Sequence, residues 1–329
     1  MTELVTADRG IGEIALVDAL PEFVVVAFAA VTHLADPWFL FGLLAVTYWF
    51  AGHRVAASPR RAGATAIAAV TCAYAAVALG KAWFAVPRPP GAMGPAAVPT
   101  WLPGLLSGWY EAQVLSDGFG FPSGHATGGA AAYGAMALLY DRAWTERKRL
   151  LAAGLVAVAA SRVIIEVHYL VDVLVGLVLG GGVVVVTLWL AGDPRFRGGF
   201  TESARADPTT ALDPVPAFLL AGVVSFAAAG VAFAGGHAGE VVEAGIGIAT
   251  GLGGAVGWRL VSGDESAVPV RIAVPALAVT GALWVGAYAF ADSILVTLAA
   301  TAAAVVAVVA LPALPDRIAG AAVLNRGHG

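Results

Sequence analysis

The chain has 329 residues, of which 59% are hydrophobic and 12% charged, and its mean hydropathy is +0.83. That balance excludes a water-soluble domain of ordinary composition and places the chain in a bilayer. The net charge of −4 comes with no basic stripe that would suggest nucleic acid, and a single cysteine, Cys72, rules out a disulfide framework or a cysteine metal site.

In chain order, the N-terminal residues are mixed and polar, with Asp8, Arg9, Glu13 and Asp18. They lack a basic stretch followed by a short apolar core, so no cleaved signal peptide is expected. Apolar runs then predict helices near 21–35, 37–51, 62–87, 123–140, 150–167, 169–191, 215–234, 241–261, 269–290 and 293–313. The first two are short and meet at Asp36-Pro37, so one of them is open to being tilted or interfacial. The polar stretch 192–214 divides the chain into a six-helix part, 1–191, a cytoplasmic linker, and a C-terminal four-helix membrane part, 215–329, in which nothing names a chemistry. The fold class expected is an all-α polytopic transmembrane bundle with a six-helix core and about four further spans.

Charge placement orients this bundle. With the N-terminus in the cytoplasm and the helices alternating, Arg9, Arg54, Arg60, Arg61, Arg142, Arg147, Lys148, Arg149, Arg195, Arg197, Arg205, Arg259, Arg271, Arg317 and Arg326 fall inside, as short basic loops should. Both termini are then cytoplasmic. Lys81, Arg88 and Arg162 are left at the outer face, where a cation near the end of a span calls for a bound or paired anion.

Those three cations sit in three short stretches: Lys81 to Pro89, Pro122-Ser123-Gly124-His125, and Ser161-Arg162 to His168 and Asp172. Residues 150–191 are too long for one span and must turn, with His168 near the midpoint. His168 and Asp172 are four apart at the start of the following helix, on one face. The carboxylate can take the Nδ1 proton and leave the Nε2 lone pair free to attack phosphorus. Pro122 and Ser123 suit a helix start, whose free N–H groups at Ser123, Gly124 and His125 favour a phosphate. His125 can protonate the leaving oxygen, while Lys81, Arg88 and Arg162 hold the nonbridging oxygens.

The three stretches resemble the signature of the type 2 phosphatidic acid phosphatase superfamily, Lys-x6-Arg-Pro, Pro-Ser-Gly-His and Ser-Arg-x5-His-x3-Asp, at every defined position. The resemblance covers roughly residues 21 to 191. It implies a metal-independent, vanadate-sensitive lipid phosphatase of the cell membrane, without cofactor. It assigns phosphate binding to Lys81, Arg88, Ser123, Gly124 and Arg162, and a phosphohistidine on His168, assisted by Asp172 and His125. The substrate implied is a lipid phosphate, with phosphatidate, phosphatidylglycerophosphate and polyprenyl diphosphates all open. Transfer of the phosphate to an alcohol uses the same residues, and lipid or anion transport is the reading of a different class.

Other side chains have simpler readings. His33, His53, His237 and His328 read as packed or interfacial, and Arg162 has an alternative ion-pair partner one turn on, Glu166. Trp101, Trp109 and Tyr110, in the long outer loop 91–121, read as an interfacial belt or the lining of a headgroup entrance. Ser161 reads as bonded within its own helix.

Overall fold

The computed structural model describes residues 9–140, 145–197, 208–261, 268–290 and 293–313. It is all-helical among these residues, as expected. The helices are α1 (Glu13–Val17), α2 (Glu22–Val31), α3 (Pro37–Phe50), α4 (Pro59–Phe84), α5 (Gly104–Val114), α6 (Gly124–Leu139), α7 (Thr145–Ile164), α8 (Leu170–Leu190), α9 (Pro194–Arg197), α10 (Val215–Ala234), α11 (Ala238–Val261), α12 (Val270–Phe290) and α13 (Ile294–Ala310). Among the described residues, α4, α8, α10, α11, α12 and α13 are each long and apolar enough to cross a membrane, making this a multi-pass membrane protein. Of the other expected spans, α6 is shorter and α7 opens on Glu146, Arg147, Lys148 and Arg149.

The first two expected spans are one run bent by 48°. A 3-10 turn, Thr32–Ala35, leads into Asp36, and Pro37 follows at the first position of α3. Proline pushes the residue before it out of the helical region, so Asp36 is extended, at φ −59° and ψ 142°. The carbonyls freed at the break are taken up by neighbours: Tyr133 donates to Leu34 and Tyr74 to Ala35.

Helix α4 is the axis of the molecule. Its 26 residues span about 39 Å at the usual rise, and it packs against α3, α6, α8, α10 and α11. Ten of its 26 residues are alanine and two are glycine, so few long side chains hold the neighbours away. Helices α6 and α8 also meet closely, because a Cβ on Gly176 would sit 2.8 Å from the carbonyl of Ser123, and Gly180, one turn on, faces Thr127 in the same way. Small residues four apart permit this backbone contact in a membrane, where packing rather than exclusion of water drives association. The approach brings the start of α6 against the start of α8, and Ser123 N–H donates to the Asp172 carbonyl at 3.1 Å.

The C-terminal helices share this core. Phe218, Ala221, Trp258 and Val309 belong to the same buried cluster as Leu40, Leu44, Tyr48 and the alanines of α4. At the end opposite Asp172, Tyr48 and Trp49 donate to the carbonyls of Val309 and Val308, and Arg61 donates to Leu212. The described residues beside the linker are tied down as well, with Thr209 accepting from Ser58 N–H.

Two expectations are corrected. The outer loop 91–121 contains helix α5, with Tyr110 buried and Trp101 and Trp109 bonded to Glu22 and His33. Arg9, grouped by its charge with the face opposite Lys81 and Arg88, lies instead on Asp172 and the Pro87 carbonyl. The nearby Glu13 accepts from Leu170 N–H. The described N-terminal segment is therefore at the site end of the bundle. Arg142, Arg205, Arg317, Arg326, His328 and the C-terminus lie outside the described residues.

Candidate active site

The chain turns sharply between α7 and α8 to present His168. Glu166 adopts φ 57°, a left-handed conformation costing a non-glycine residue about 1–2 kcal/mol, and His168 N–H closes the turn on the Arg162 carbonyl at 3.2 Å. His168 thus precedes α8 rather than sharing a helical face with Asp172. The pair still meets, since Asp172 folds back over the helix start to accept from Tyr169 N–H at 3.1 Å and stands 3.6 Å from His168 Nδ1. The same carboxylate is held by Arg9 through both oxygens.

His168 is buried, and its Nε2 lies 3.1 Å from Arg88 Nη1. A guanidinium only donates, so Nε2 carries the lone pair and Nδ1 the proton, facing Asp172. Burial, reinforced by the positive charges of Arg162 and Arg88, pushes the imidazole well below its ordinary range and keeps it neutral. Arg88 is fixed from behind by the carbonyls of Asp117 and Val167. Arg162 is 5% exposed, donates to the Thr32 hydroxyl, and leaves Nε without a partner. The sequence alternative of an Arg162–Glu166 ion pair is not formed. Among the described residues, neither buried arginine is in an ion pair with a carboxylate. Two desolvated cations that lack a direct ion-pair partner beside a neutral imidazole favour an anion there.

Ser123 caps α6, its hydroxyl facing Ala126 N–H at 3.5 Å. Because its own N–H is taken by Asp172, the amides left at the open helix end are those of Gly124 and His125, one fewer than expected. Lys81 is the outlying member. It reaches Glu243 of α11 at 3.3 Å, so the C-terminal part of the chain touches the site. Ser161 bonds the Val158 carbonyl within its own helix, as expected.

His125 does not stand alone. Its Nε2 lies 2.8 Å from Asp36 Oδ1, and Asp36 Oδ2 meets His33 Nδ1 at 2.6 Å and Trp38 Nε1 at 2.9 Å. His33 Nε2 in turn lies 2.9 Å from Trp109 Nε1. The reading of His33 as a packed residue is thereby corrected, because it belongs to the polar network of the site. Asp36, Arg9 and Glu243 were missed as well. An ionisable residue inside an apolar stretch signals a site in a membrane protein, and Asp36 carried that signal, but the adjacent proline accounted for it as a turn.

Residues 62–196 match the family model described as the PAP2 superfamily. That stretch, less than half of the chain, is similar to the PAP2 superfamily. The match contains Lys81, Arg88, Ser123, Gly124, His125, Arg162, His168 and Asp172, while Arg9, His33, Asp36 and Glu243 fall outside it. No curated protein and no solved structure matches the chain. The PAP2 superfamily is generally one of phosphatases that act on phosphate esters, often those of lipids.

Proposed function

We propose that this protein hydrolyses a lipid phosphate, a monoester or a diphosphate, through a phosphohistidine on His168 and without a metal ion. The observation that carries this reading is the pair of buried arginines, Arg88 and Arg162, set around His168 and, among the described residues, in no ion pair with a carboxylate. A phosphoryl group drawn into that charge meets the Nε2 lone pair, and Asp172 stabilises the proton left on Nδ1. Nε2 forms a bond to phosphorus as the ester bond breaks, and His125 protonates the departing oxygen. Water then attacks the phosphohistidine, His125 takes its proton, and phosphate leaves. Lys81, Arg88, Arg162, Ser123 and the amide of Gly124 are the proposed ligands of the nonbridging oxygens.

A lipid substrate is supported by an apolar cavity of about 400 Å³ between α4, α8 and α10, bounded by Cys72, Ala76, Val178, Val183, Leu220 and Val224. It begins two turns along α8 from Asp172, where a hydrocarbon chain would lie if its phosphate sat at His168. Arg54, Arg61, Lys148, Arg195 and Arg197 cluster at the far end of the bundle, so the site belongs on the extracellular or periplasmic face of a cell membrane. The described N-terminal segment then lies on that outer face too.

The test is phosphate release by the purified full chain in detergent, with a chelator present, from phosphatidate, phosphatidylglycerophosphate and a polyprenyl diphosphate. Wild type should turn over at least one of them and be inhibited by vanadate, and His168→Ala should lose at least ~10³-fold in kcat. No release from any substrate, or retention of activity by His168→Ala, refutes the reading.

A further inference from the structure

Among the described residues the site contains a second imidazole–carboxylate pair, and its proton positions follow from the partners. The indole N–H of Trp109 can only donate, so His33 Nε2 accepts and the proton of this neutral ring is on Nδ1, directed at Asp36. Trp38 also donates to the same carboxylate oxygen. Asp36 Oδ1 is left for His125, and between a carboxylate and an imidazole at 2.8 Å the proton belongs to the more basic nitrogen. Nε2 of His125 is therefore a committed N–H, and Nδ1 is the one ring atom free to exchange a proton with a substrate. The arrangement reverses that of His168, where Nδ1 faces the carboxylate and Nε2 reacts.

We propose that Asp36, itself held by His33 and Trp38, is the positioning residue of the acid–base group, and that it turns His125 so that Nδ1 faces the leaving oxygen. The proposal rests on the phosphatase reading and adds to it a residue outside the PAP2 segment. In the first step the Nε2 lone pair of His168 bonds to phosphorus, the ester P–O bond breaks, and its electron pair takes the proton from His125 Nδ1. In the second, water gives that proton back to Nδ1 as its oxygen bonds to phosphorus and the P–N bond breaks. Throughout, Nε2–H stays on Asp36, which stabilises the imidazolium form.

The charged and titratable groups around this pair come from α4 and the segment after it, from α7, from the turn before α8 and from the 3-10 turn. His125 faces Arg162 of α7, Arg88 after α4, and His168 in the turn before α8, besides Asp36 itself. Asp36 faces His33 in the 3-10 turn and Tyr74 of α4. Three positive or neutral nitrogen groups crowd His125, so without the carboxylate the protonated ring would survive only at lower pH.

A leaving group that needs no proton separates positioning from mere support of the fold. The purified full chain and Asp36→Asn are compared on phosphatidate, whose alkoxide must be protonated, and on p-nitrophenyl phosphate, whose phenolate leaves unaided. Asp36→Asn should lower kcat/KM, which reports the first step alone, by roughly 10–100-fold on phosphatidate and by less than about threefold on the aryl ester. Its alkaline limb on phosphatidate should move about one pH unit lower, and Asp36→Glu should recover part of the loss. Equal losses on both substrates, no loss on phosphatidate, or an unmoved alkaline limb overturns the proposal. If Asp36→Asn does not give a monodisperse protein, the same comparison is made with His33→Phe. That variant removes one donor to Asp36 and should show the same selectivity at roughly two- to fivefold, with an equal loss on both esters again refuting it. A wild type inactive on the aryl ester and on every lipid phosphate of the panel above refutes the phosphatase reading instead.

Discussion

His168 reaches its carboxylate within one turn of chain, whereas His125 reaches its own across 89 residues. The first pair is assembled by a tight turn and a helix start, and Asp172 is shared with Arg9 and Tyr169 N–H. The second is assembled by packing: a proline-broken helix pair lays Asp36 over the first turn of α6, with Tyr74 and Tyr133 holding the break. Local geometry thus supplies the proposed nucleophile, and tertiary geometry the residue proposed to aim its proton donor. The difference teaches that a motif can contain every proposed phosphate ligand and still omit the carboxylate that holds one of its histidines.

The comparison can be broken most severely at Asp172. Asp172→Asn should reduce kcat on the order of 10³-fold, to a similar extent on phosphatidate and on p-nitrophenyl phosphate, because it weakens the nucleophile common to both and not the group that protonates the leaving oxygen. A leaving-group-dependent loss there would mean that the two carboxylates do not divide the labour as described.

The next effect is on stability. His168 is held neutral in the fold by burial and by Arg162 and Arg88, while in the unfolded chain it titrates near 6.5. The unfolded state therefore binds more protons as the pH falls below about 6.5, and stability drops with it. The Tm of wild type in detergent should fall between pH 7 and pH 5, and His168→Gln should flatten that dependence. Orthovanadate, as a phosphate-like anion, should raise Tm in wild type by binding the folded state. A pH profile identical in His168→Gln would place the acid sensitivity elsewhere.

The smallest effect is expected where the C-terminal part meets the site. Glu243 is more than half exposed, and its pair with Lys81 is of the weak, solvent-screened kind. Glu243→Gln should free Lys81 and change KM for phosphatidate by about two- to threefold with kcat unchanged. A large drop in kcat would show that α11 contributes more to the reaction than restraint of one lysine.

Much of this was legible in the chain itself. The spans α4, α8 and α10 to α13 follow from apolar length, and the cap at Ser123 follows from a serine after proline before a helix of glycine and alanine. Lys81, Arg88 and Arg162 could be singled out because hydropathy sets their depth and basic residues otherwise keep to one face. The same rule misplaced Arg9, since it presumes that each apolar run crosses the membrane, and α2–α3 is one bent run. His33 and Asp36 were visible as letters but not as partners of His125, because no spacing rule links residues 89 apart.

By itself, then, the sequence determined an all-helical membrane chain, the depth of its exceptional cations, and the His168–Asp172 pair. Each follows from a local quantity: apolar length, charge bias, or a separation of four residues. The tertiary structure alone decided that Ser123 spends its N–H on Asp172, that Arg88 covers Nε2 of His168, and that Asp36 holds Nε2 of His125. Those depend on how closely α6 and α8 approach across Gly176 and on where the proline break sets Asp36, and such contacts are fixed only when the helices pack.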